Sequence, residues 1–260
     1  MRSTFIITIA AIATAVSAAP TTLDKRAPKA QVITTCTVPG TIALTFDDGP
    51  YEYTWDLAKT LKKNGVTATF FMNGNNWVDV EKQTVKTSDG IKTYKEVIKH
   101  VYSQGHQLAS HTYSHLELGG QSASKVKSEV QKLEKIFRSV IGKNPLYFRP
   151  PAGSYDDTTL KTLGSLGYKV ILWDIDSNDW RYSSQSSLSK EQKNYKDVIE
   201  ADSKKNPKGH IALHHDVYKK TTEKLVPWVI KYIKDKKNYK FVSVAECIGQ
   251  TKGSAYRTRQ

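Results

Sequence analysis

Short apolar segments alternate with amphipathic segments along most of this chain. Seven apolar segments have the length and composition of β-strands: residues 42–46, 68–72, 107–110, 146–148, 169–173, 210–213 and 240–244. Most of the intervening stretches carry apolar residues every three or four positions, as a helix with one buried face does. Strands that alternate with helices within one domain indicate a parallel sheet. The sequence therefore predicts an α/β fold, either open or closed into a barrel.

The longest helical pattern lies near the middle of the chain. A serine at position 122 or 124 can cap its start, and Gly142 can end it. Its apolar positions are Val126, Val130, Leu133, Phe137 and Val140. Shorter helical patterns cover residues 55–61, 97–101, 158–166, 195–204 and 222–236. Two polar stretches, 82–92 and 181–193, are predicted to be exposed loops that could wall a binding groove.

The beginning of the chain has the pattern of a secretory leader. Arg2 precedes an apolar stretch at 5–16, and small residues follow at 17–19. The segment LDKR at 23–26 ends in a dibasic pair that resembles a kexin-type processing site. We therefore expect a signal peptide at 1–19, a short propeptide at 20–26 and a single domain at 27–260. The sequence shows no later membrane-spanning segment and no lipid-anchor signal, so we expect a secreted protein, extracellular or in the cell wall, without a membrane anchor.

The chain contains two cysteines, Cys36 and Cys247. On a secretory route, a disulfide is their expected fate, and two free buried thiols are the alternative. Closing so long a loop would stabilise the fold by about 5 kcal/mol in the chain-entropy model. The bond would also join the two ends of the predicted domain.

The formal net charge is +14, which falls to about +12 once the leader and propeptide are removed. Such a charge favours contact with acidic polymers. The lysines are spread along the chain and are not gathered into a run with aromatic residues, so we do not expect nucleic acid as a partner. We interpret most of the charge as solvated helix faces with some affinity for acidic wall material.

Polar side chains follow nearly every predicted strand at the point where the strand ends. In a parallel α/β sheet all of these ends lie on one face, which is where such folds carry their chemistry. The first strand ends in TFDDGP at 45–50, which places two adjacent carboxylates beside a buried segment. The polar residues at the strand ends are Asp47, Asp48, Asn73, His111, His115, Arg149, Asp174, Asp176, Asp179, His214, His215 and Asp216.

His111 and His115 are four positions apart, so one turn of chain can present both imidazoles to a single point. With one carboxylate they would form three protein ligands with room for water, the pattern of a catalytic divalent metal such as Zn²⁺. The alternative is two histidines that only make hydrogen bonds at a strand end.

Five blocks of sequence together resemble the polysaccharide deacetylases with a NodB-type domain, carbohydrate esterase family 4, and most closely secreted fungal chitin deacetylases. The blocks are TFDDGP at 45–50, SHTYSH at 110–115, FRPPAG at 148–153, DSNDW at 176–180 and LHH at 213–215. The resemblance implies a distorted (β/α)7-type barrel with parallel strands. It also implies one divalent metal ion, for which we expect Zn²⁺, with Co²⁺ as the alternative.

Position by position, the resemblance assigns roles to the strand-end residues. It makes Asp47 the general base, His215 the general acid, Asp179 the partner that orients this histidine, and Arg149 the neighbour that holds Asp47. The implied metal ligands are Asp48, His111 and His115. For His214, strand alternation predicts the opposite face and a packing role.

The same resemblance suggests substrate contacts. Trp180 and Leu213 would form the wall and floor of an acetyl pocket, and Asn73 is a further candidate. Many relatives have tyrosine where this chain has Ala152, whose backbone N–H can still bind an oxyanion. Tyr155 is predicted to replace the missing substrate wall.

The expected activity is removal of N-acetyl groups from N-acetylglucosamine polymers or oligomers, converting chitin to chitosan and acetate, by a monomer. Acetylxylan and peptidoglycan are alternative substrates. A glycoside hydrolase is disfavoured because its two carboxylates must lie on opposite sides of a sugar. A non-catalytic wall-binding module is a further alternative.

Overall fold

The structure, a computed structural model, describes residues 28–236 and 238–258. The predicted signal peptide, the predicted propeptide and residue 27 lie outside the described residues. Within the described part of the chain, no helix is both long and apolar enough to cross a membrane.

The strands and helices follow one another in the order that the sequence pattern indicates, with several additions. The strands are β1 Val32–Ile33, β2 Thr41–Asp47, β3 Ala68–Met72, β4 Thr84–Thr87, β5 Gly90–Thr93, β6 Gln107–Ser110, β7 Asn144–Pro145, β8 Tyr147–Phe148, β9 Lys169–Ile171, β10 Ile175–Asp176, β11 His210–His215, β12 Lys240–Phe241 and β13 Tyr256–Arg257. The α-helices are α1 Thr54–Lys63, α2 Tyr94–Ser103, α3 Ala123–Ile141, α4 Asp157–Ser165, α5 Asp179–Tyr182, α6 Ser189–Ile199, α7 Val226–Lys236 and α8 Val244–Cys247.

The main sheet is parallel throughout. Its strand order is β1-β9-β8-β6-β3-β2-β11-β10, and β12 pairs with the start of β2. In the described residues the terminal strands β1 and β10 do not pair with each other, so the curved sheet stays open. The central strands β2 and β3 are buried along their whole length, as expected when helices cover a parallel sheet. The prediction of a distorted parallel barrel is therefore confirmed.

Three segments differ from the sequence prediction. The stretch 181–193, expected to be an exposed loop, contains the end of α5 and the beginning of α6, which starts at Ser189. The stretch 82–92, expected to be an exposed loop, contains the antiparallel hairpin β4–β5. Asp89 in its turn accepts hydrogen bonds from the Trp55 indole N–H at 2.9 Å and the Lys59 ammonium at 2.8 Å, which fasten the hairpin to α1. The predicted strand 240–244 stops at Phe241, because Ser243 and Glu246 form a capping box that starts α8.

Cys36 and Cys247 form the predicted disulfide. The bond joins the segment before β2 to helix α8, and both half-cystines are buried. It therefore fastens the two ends of the domain to each other.

Candidate metal-dependent active site

The predicted site residues come together at the carboxyl end of the sheet. Asp47 ends β2 and Asp48 follows it, while His111 follows β6 and Arg149 follows β8. Several of the predicted site residues line a cavity of about 340 Å³. The residues that line the cavity are Asp47, Asp48, His111, His115, Pro150, Ala152, Trp173, Asp176, Trp180, Leu213, His215 and Tyr218.

Asp48, His111 and His115 form a cluster with the donor atoms of a metal site. One ligand atom from each residue lies within 4.8 Å of the others. Asp48 Oδ1 is 3.1 Å from His115 Nε2 and 3.5 Å from His111 Nε2. Burial opposes ionisation of Asp48, but the two imidazoles hold its pKa well below the usual range. The carboxylate is therefore charged and available to a cation.

Two hydrogen-bonding features of this cluster fit a divalent cation. Asp48 Oδ1 is buried and has no aligned hydrogen-bond donor among the described residues, although both imidazoles are close. The Nδ1–H of His111 donates to the carbonyl oxygen of Arg149 at 2.7 Å, which leaves the Nε2 lone pair directed at the cluster. One carboxylate and two imidazoles are ligands that suit Zn²⁺ and related ions.

Left-handed backbone conformations concentrate at this site. Five described non-glycine residues have positive φ: Asp48 at 76°, Thr112 at 68°, His115 at 57°, Ala152 at 52° and Asn178 at 53°. Such conformations cost about 1–3 kcal/mol each unless the surroundings enforce them, and they cluster at functional sites. Here they turn the metal-ligand loops and the Ala152 turn towards the cavity.

Asn73 is one of the groups that enforce this geometry. Its amide nitrogen donates to the carbonyl oxygens of His111 at 2.5 Å and Thr112 at 2.9 Å. Both amide hydrogens are used in this way, so Asn73 holds the histidine loop. It does not line the cavity, and its contact with a substrate stays a prediction.

Arg149 is fully buried and ion-paired with Asp47. Its Nη1 donates to Asp47 Oδ1 at 2.8 Å and to the Thr45 hydroxyl at 2.7 Å. Its Nε and Nη2 donate to the carbonyl oxygens of Ile171 and Leu172. Asp47 Oδ2 remains directed at the cluster, 3.8 Å from His111 Nε2. One oxygen of this carboxylate is thus anchored and the other faces the cavity.

On the other side of the cavity, Asp179 and His215 form a second pair. His215 Nδ1–H donates to Asp179 Oδ1 at 2.7 Å, and the His215 backbone N–H donates to Oδ2 at 2.8 Å. The Thr221 hydroxyl and the Trp180 backbone N–H also donate to this carboxylate. Burial disfavours the imidazolium, but the Asp179 charge outweighs burial and raises the pKa of His215 to about 9. His215 therefore holds a proton at neutral pH.

His214 lies on the opposite face of β11, as strand alternation predicts. The Tyr195 hydroxyl donates to its Nε2 at 2.6 Å, and its Nδ1–H donates to the Thr45 carbonyl at 3.1 Å. Burial lowers its pKa to about 4, so the ring is neutral. It packs against the Phe46 ring and belongs to the core.

Of the predicted acetyl-pocket residues, Ala152, Trp180 and Leu213 line the cavity, whereas Tyr155 does not. Tyr155 follows Ser154, whose side chain packs against Gly119. Its replacement of the missing tyrosine wall stays a prediction.

Four lining residues have no role in the sequence-based assignment: Pro150, Trp173, Asp176 and Tyr218. Asp176 is the last residue of β10 and belongs to the DSNDW block, which was a usable signal. Tyr218 lies between His215 and the exposed Trp77, with ring centroids 5.9 Å and 6.2 Å away. Tyr51 extends this aromatic row, at 5.4 Å from Trp77. Nothing in the local sequence indicated that these rings meet.

The two other strand-end acids lie outside the cavity lining. Asp174 accepts from His210 Nδ1–H at 2.6 Å and from the Ile211 N–H, at the start of β11. Asp216 is buried against Gly49, and its carboxylate accepts a hydrogen bond from the Thr54 hydroxyl. Burial raises the Asp216 pKa to about 7.

An open parallel barrel with an Asp-His-His cluster, flanked by an Asp–Arg pair and an Asp–His pair, has the parts of a hydrolase that activates water with a metal. Residues 34–171 match the polysaccharide deacetylase family. The chain belongs to this family.

Several curated fungal proteins are similar over most of the chain. A chitin deacetylase of Arthroderma benhamiae is 38% identical over 90% of this chain and 58% of its own length. One from a Pestalotiopsis species is 37% identical over 89% of this chain and 71% of its own length. The solved structure of the Colletotrichum lindemuthianum chitin deacetylase superposes with a TM-score of 0.81 at 32% identity, covering 90% of this chain and 98% of that one. The chain thus spans less than two thirds of the Arthroderma protein but nearly all of the Colletotrichum structure.

Proposed function

We propose that this protein is a metal-dependent hydrolase that removes N-acetyl groups from N-acetylglucosamine polymers or oligomers, converting chitin to chitosan and acetate. The observation that carries the proposal is the placement of two acid–base pairs, Asp47–Arg149 and Asp179–His215, around one Asp-His-His cluster. The names of the fungal relatives support chitin as the substrate class.

A divalent cation held by Asp48, His111 and His115 would polarise the acetyl carbonyl group and acidify a water molecule. Zn²⁺ is the ion we propose, with Co²⁺ as the alternative. Asp47 is the base, because Arg149 anchors Oδ1 and leaves Oδ2 free to take a proton from the attacking water.

As the tetrahedral intermediate forms, the backbone N–H of Ala152 stabilises the developing oxyanion, since its left-handed turn lines the cavity. His215 then donates its Nε2 proton to the leaving nitrogen. The Asp179 carboxylate keeps His215 protonated beforehand, and it holds Nδ1 so that Nε2 is the donor. Acetate and a free amine result.

The walls of the cavity suit an acetylated sugar. Leu213 and Trp180 supply apolar contacts for the acetyl methyl group, and Trp180 is 45% exposed at the rim. Trp77, 48% exposed, continues the aromatic surface through Tyr218. Flat aromatic faces at a cleft are a common means of holding sugar rings. This arrangement favours an oligomer or polymer over a free monosaccharide.

A glycoside hydrolase fits the site poorly. Asp47 is paired with Arg149, and Asp48 is enclosed by two imidazoles, so neither acid is placed as the second carboxylate across a sugar. A wall-binding module without activity would not need the anchored base and the protonated histidine. Secretion as a monomer remains part of the proposal, and the disulfide is consistent with an oxidising compartment.

The test is to incubate the metal-loaded full chain with chitooligosaccharides, acetylxylan and peptidoglycan fragments, and to assay acetate with and without a chelator. We expect chelator-sensitive acetate release from chitooligosaccharides, with chain length unchanged by mass spectrometry. Shortened chains would support a glycoside hydrolase instead. Faster acetate release from acetylxylan or peptidoglycan fragments would identify that polymer as the substrate instead of chitin. No acetate release from any of the three would support a non-catalytic wall-binding module.

A further inference from the structure

A second cavity, of about 500 Å³, lies at the opposite end of the sheet from the catalytic site. Gln107, which lines it, is the first residue of β6, whereas the metal-ligand candidate His111 follows the last residue of that strand. Tyr102, His106, Lys143, Lys252 and Tyr256 also line this cavity. None of the described residues that line this cavity is acidic.

Gln107 contributes a buried hydrogen-bond donor without an acceptor. Its side-chain oxygen accepts the Ala245 backbone N–H at 2.9 Å and is 3.4 Å from the Thr69 hydroxyl, which sets the orientation of the amide. The amide nitrogen, Nε2, then has no partner among the described residues, although Gln107 is only 1% exposed. Buried amide donors are seldom left unpaired, so the free donor on Gln107 indicates that a ligand supplies the missing acceptor.

Two lysines add further donors. Lys252 Nζ donates to the carbonyl oxygen of Gly105 at 3.1 Å, and Lys143 Nζ donates to the Tyr102 hydroxyl at 3.3 Å. These bonds hold both ammonium groups at the cavity and leave each with hydrogens to spare. With two positive charges and an unpaired amide, the lining favours an anion.

Two tyrosines provide flat faces for the rest of such a ligand. Tyr102 and Tyr256 meet edge to face, with ring centroids 5.5 Å apart, and the Leu108 N–H donates to the Tyr256 hydroxyl at 2.7 Å. His106 adds no charge, because Nε2–H donates to Ala58 O and Nδ1 accepts the Ala68 N–H. The cavity volume is within the range of small-molecule sites.

We propose that this cavity binds an acidic sugar, with its carboxylate or phosphate group on Gln107 Nε2, Lys143 and Lys252 and its ring against Tyr102 and Tyr256. The site is separate from the catalytic cluster and does not depend on the deacetylase activity. It gives part of the large positive charge a specific use, as contact with acidic wall glycans.

The test is calorimetric titration of the metal-loaded full chain at low ionic strength with glucuronic acid, glucose 6-phosphate, inorganic phosphate and glucose. We expect either acidic sugar to bind, phosphate alone to bind more weakly, and glucose not to bind. The tighter acidic sugar identifies carboxylate or phosphate as the preferred group. Failure of both acidic sugars to bind would overturn the proposal.

Variants locate the binding. Gln107→Glu keeps an oxygen for the Ala245 N–H but replaces the free donor with negative charge, so we expect affinity to fall by about tenfold or more. Lys143→Gln and Lys252→Gln should each weaken binding severalfold. Lys127→Gln removes an exposed charge from α3, outside the cavity, and should leave both affinity and deacetylase activity unchanged.

The affinity of Gln107→Glu also shows whether the anion binds in this cavity or at the metal cluster. An anion bound at Asp48, His111 and His115 would be insensitive to all three cavity substitutions, and that result would contradict the proposal. An equal loss of affinity in Lys127→Gln would show that the acidic sugar is attracted by charge spread over the surface, which would also contradict the proposal. If thermal unfolding shows that Gln107→Glu does not fold, the two lysine variants decide.

Discussion

Arg149 and Asp47 form a buried ion pair in which only one carboxylate oxygen is engaged. Nη1 of the arginine is 2.8 Å from Asp47 Oδ1, while Asp47 Oδ2 faces the Asp-His-His cluster. Arg149 is itself held by three further acceptors and packs over the Phe71 ring at 4.1 Å. The pair therefore presents a fixed proton acceptor beside the candidate metal site.

Replacing the base should abolish most activity without loss of metal. We expect Asp47→Asn to lower kcat by about 10²–10⁴-fold, because the amide cannot accept the proton from water. Acetate release measures kcat, and elemental analysis measures bound metal. Asp235→Asn, an exposed residue paired with Lys231, is the matched control and should be silent. If Asp47→Asn retains activity, the base has been assigned to the wrong residue.

The Asp179–His215 pair should set the alkaline limit of activity. His215 acts in its protonated form, and its pKa is raised to about 9, so activity should decline as pH rises through that value. Asp179→Asn removes the charge that raises this pKa. The alkaline limb of kcat should then move to lower pH, and kcat at neutral pH should fall. An unchanged limb would mean that His215 is not the acid.

The same pair predicts a pH dependence of stability. Since the pKa of folded His215 lies above the ordinary value of 6.5, its pairing stabilises the fold fully below pH 6.5. This contribution is lost as pH rises from 6.5 to about 9. Denaturant unfolding at several pH values should show a decrease in free energy over that interval, and Asp179→Asn should flatten it. Asp197→Asn, on the surface of α6, serves as the control.

Metal removal should inactivate and destabilise the protein. His115→Ala removes one of three ligand candidates, so we expect loss of stoichiometric zinc and of nearly all acetate release. In the unsubstituted protein, metal at 100 times its dissociation constant should add about 2.7 kcal/mol to the free energy of unfolding. His100→Gln, stacked on Trp55 away from the cluster, should keep both properties. Full activity after exhaustive chelation would exclude metal dependence.

Position 49 requires glycine because the buried Asp216 carboxylate lies against its Cα. A Cβ at this position would overlap the Asp216 carboxylate, so in Gly49→Ala either this buried side chain or the loop that carries Asp48 must move. We expect a loss of about 1–3 kcal/mol in unfolding free energy together with weaker metal binding. Gly253→Ala has no neighbour closer than 3.8 Å and should change neither quantity. Denaturant unfolding and metal titration check both variants.

Much of the fold followed from local pattern. The buried segments around Phe46, Phe70 and Leu108 are apolar because strands in a parallel sheet are covered on both faces, and this signal can be read along the chain. The strand predicted through Val244 failed at its end, where the Ser243–Glu246 capping box outweighed the apolar composition. The hairpin at 84–93 was missed because its turn is held by Trp55 and Lys59, far away in sequence.

The sequence by itself determined the order of strands and helices, the disulfide partners and the set of acids and histidines that the parallel topology gathers at one end. Only the tertiary structure decided that Asn73 holds the histidine loop and that Gln107 leaves a buried donor unpaired. Periodicity is a property of neighbours along the chain, whereas the direction of a side chain depends on partners brought close by folding.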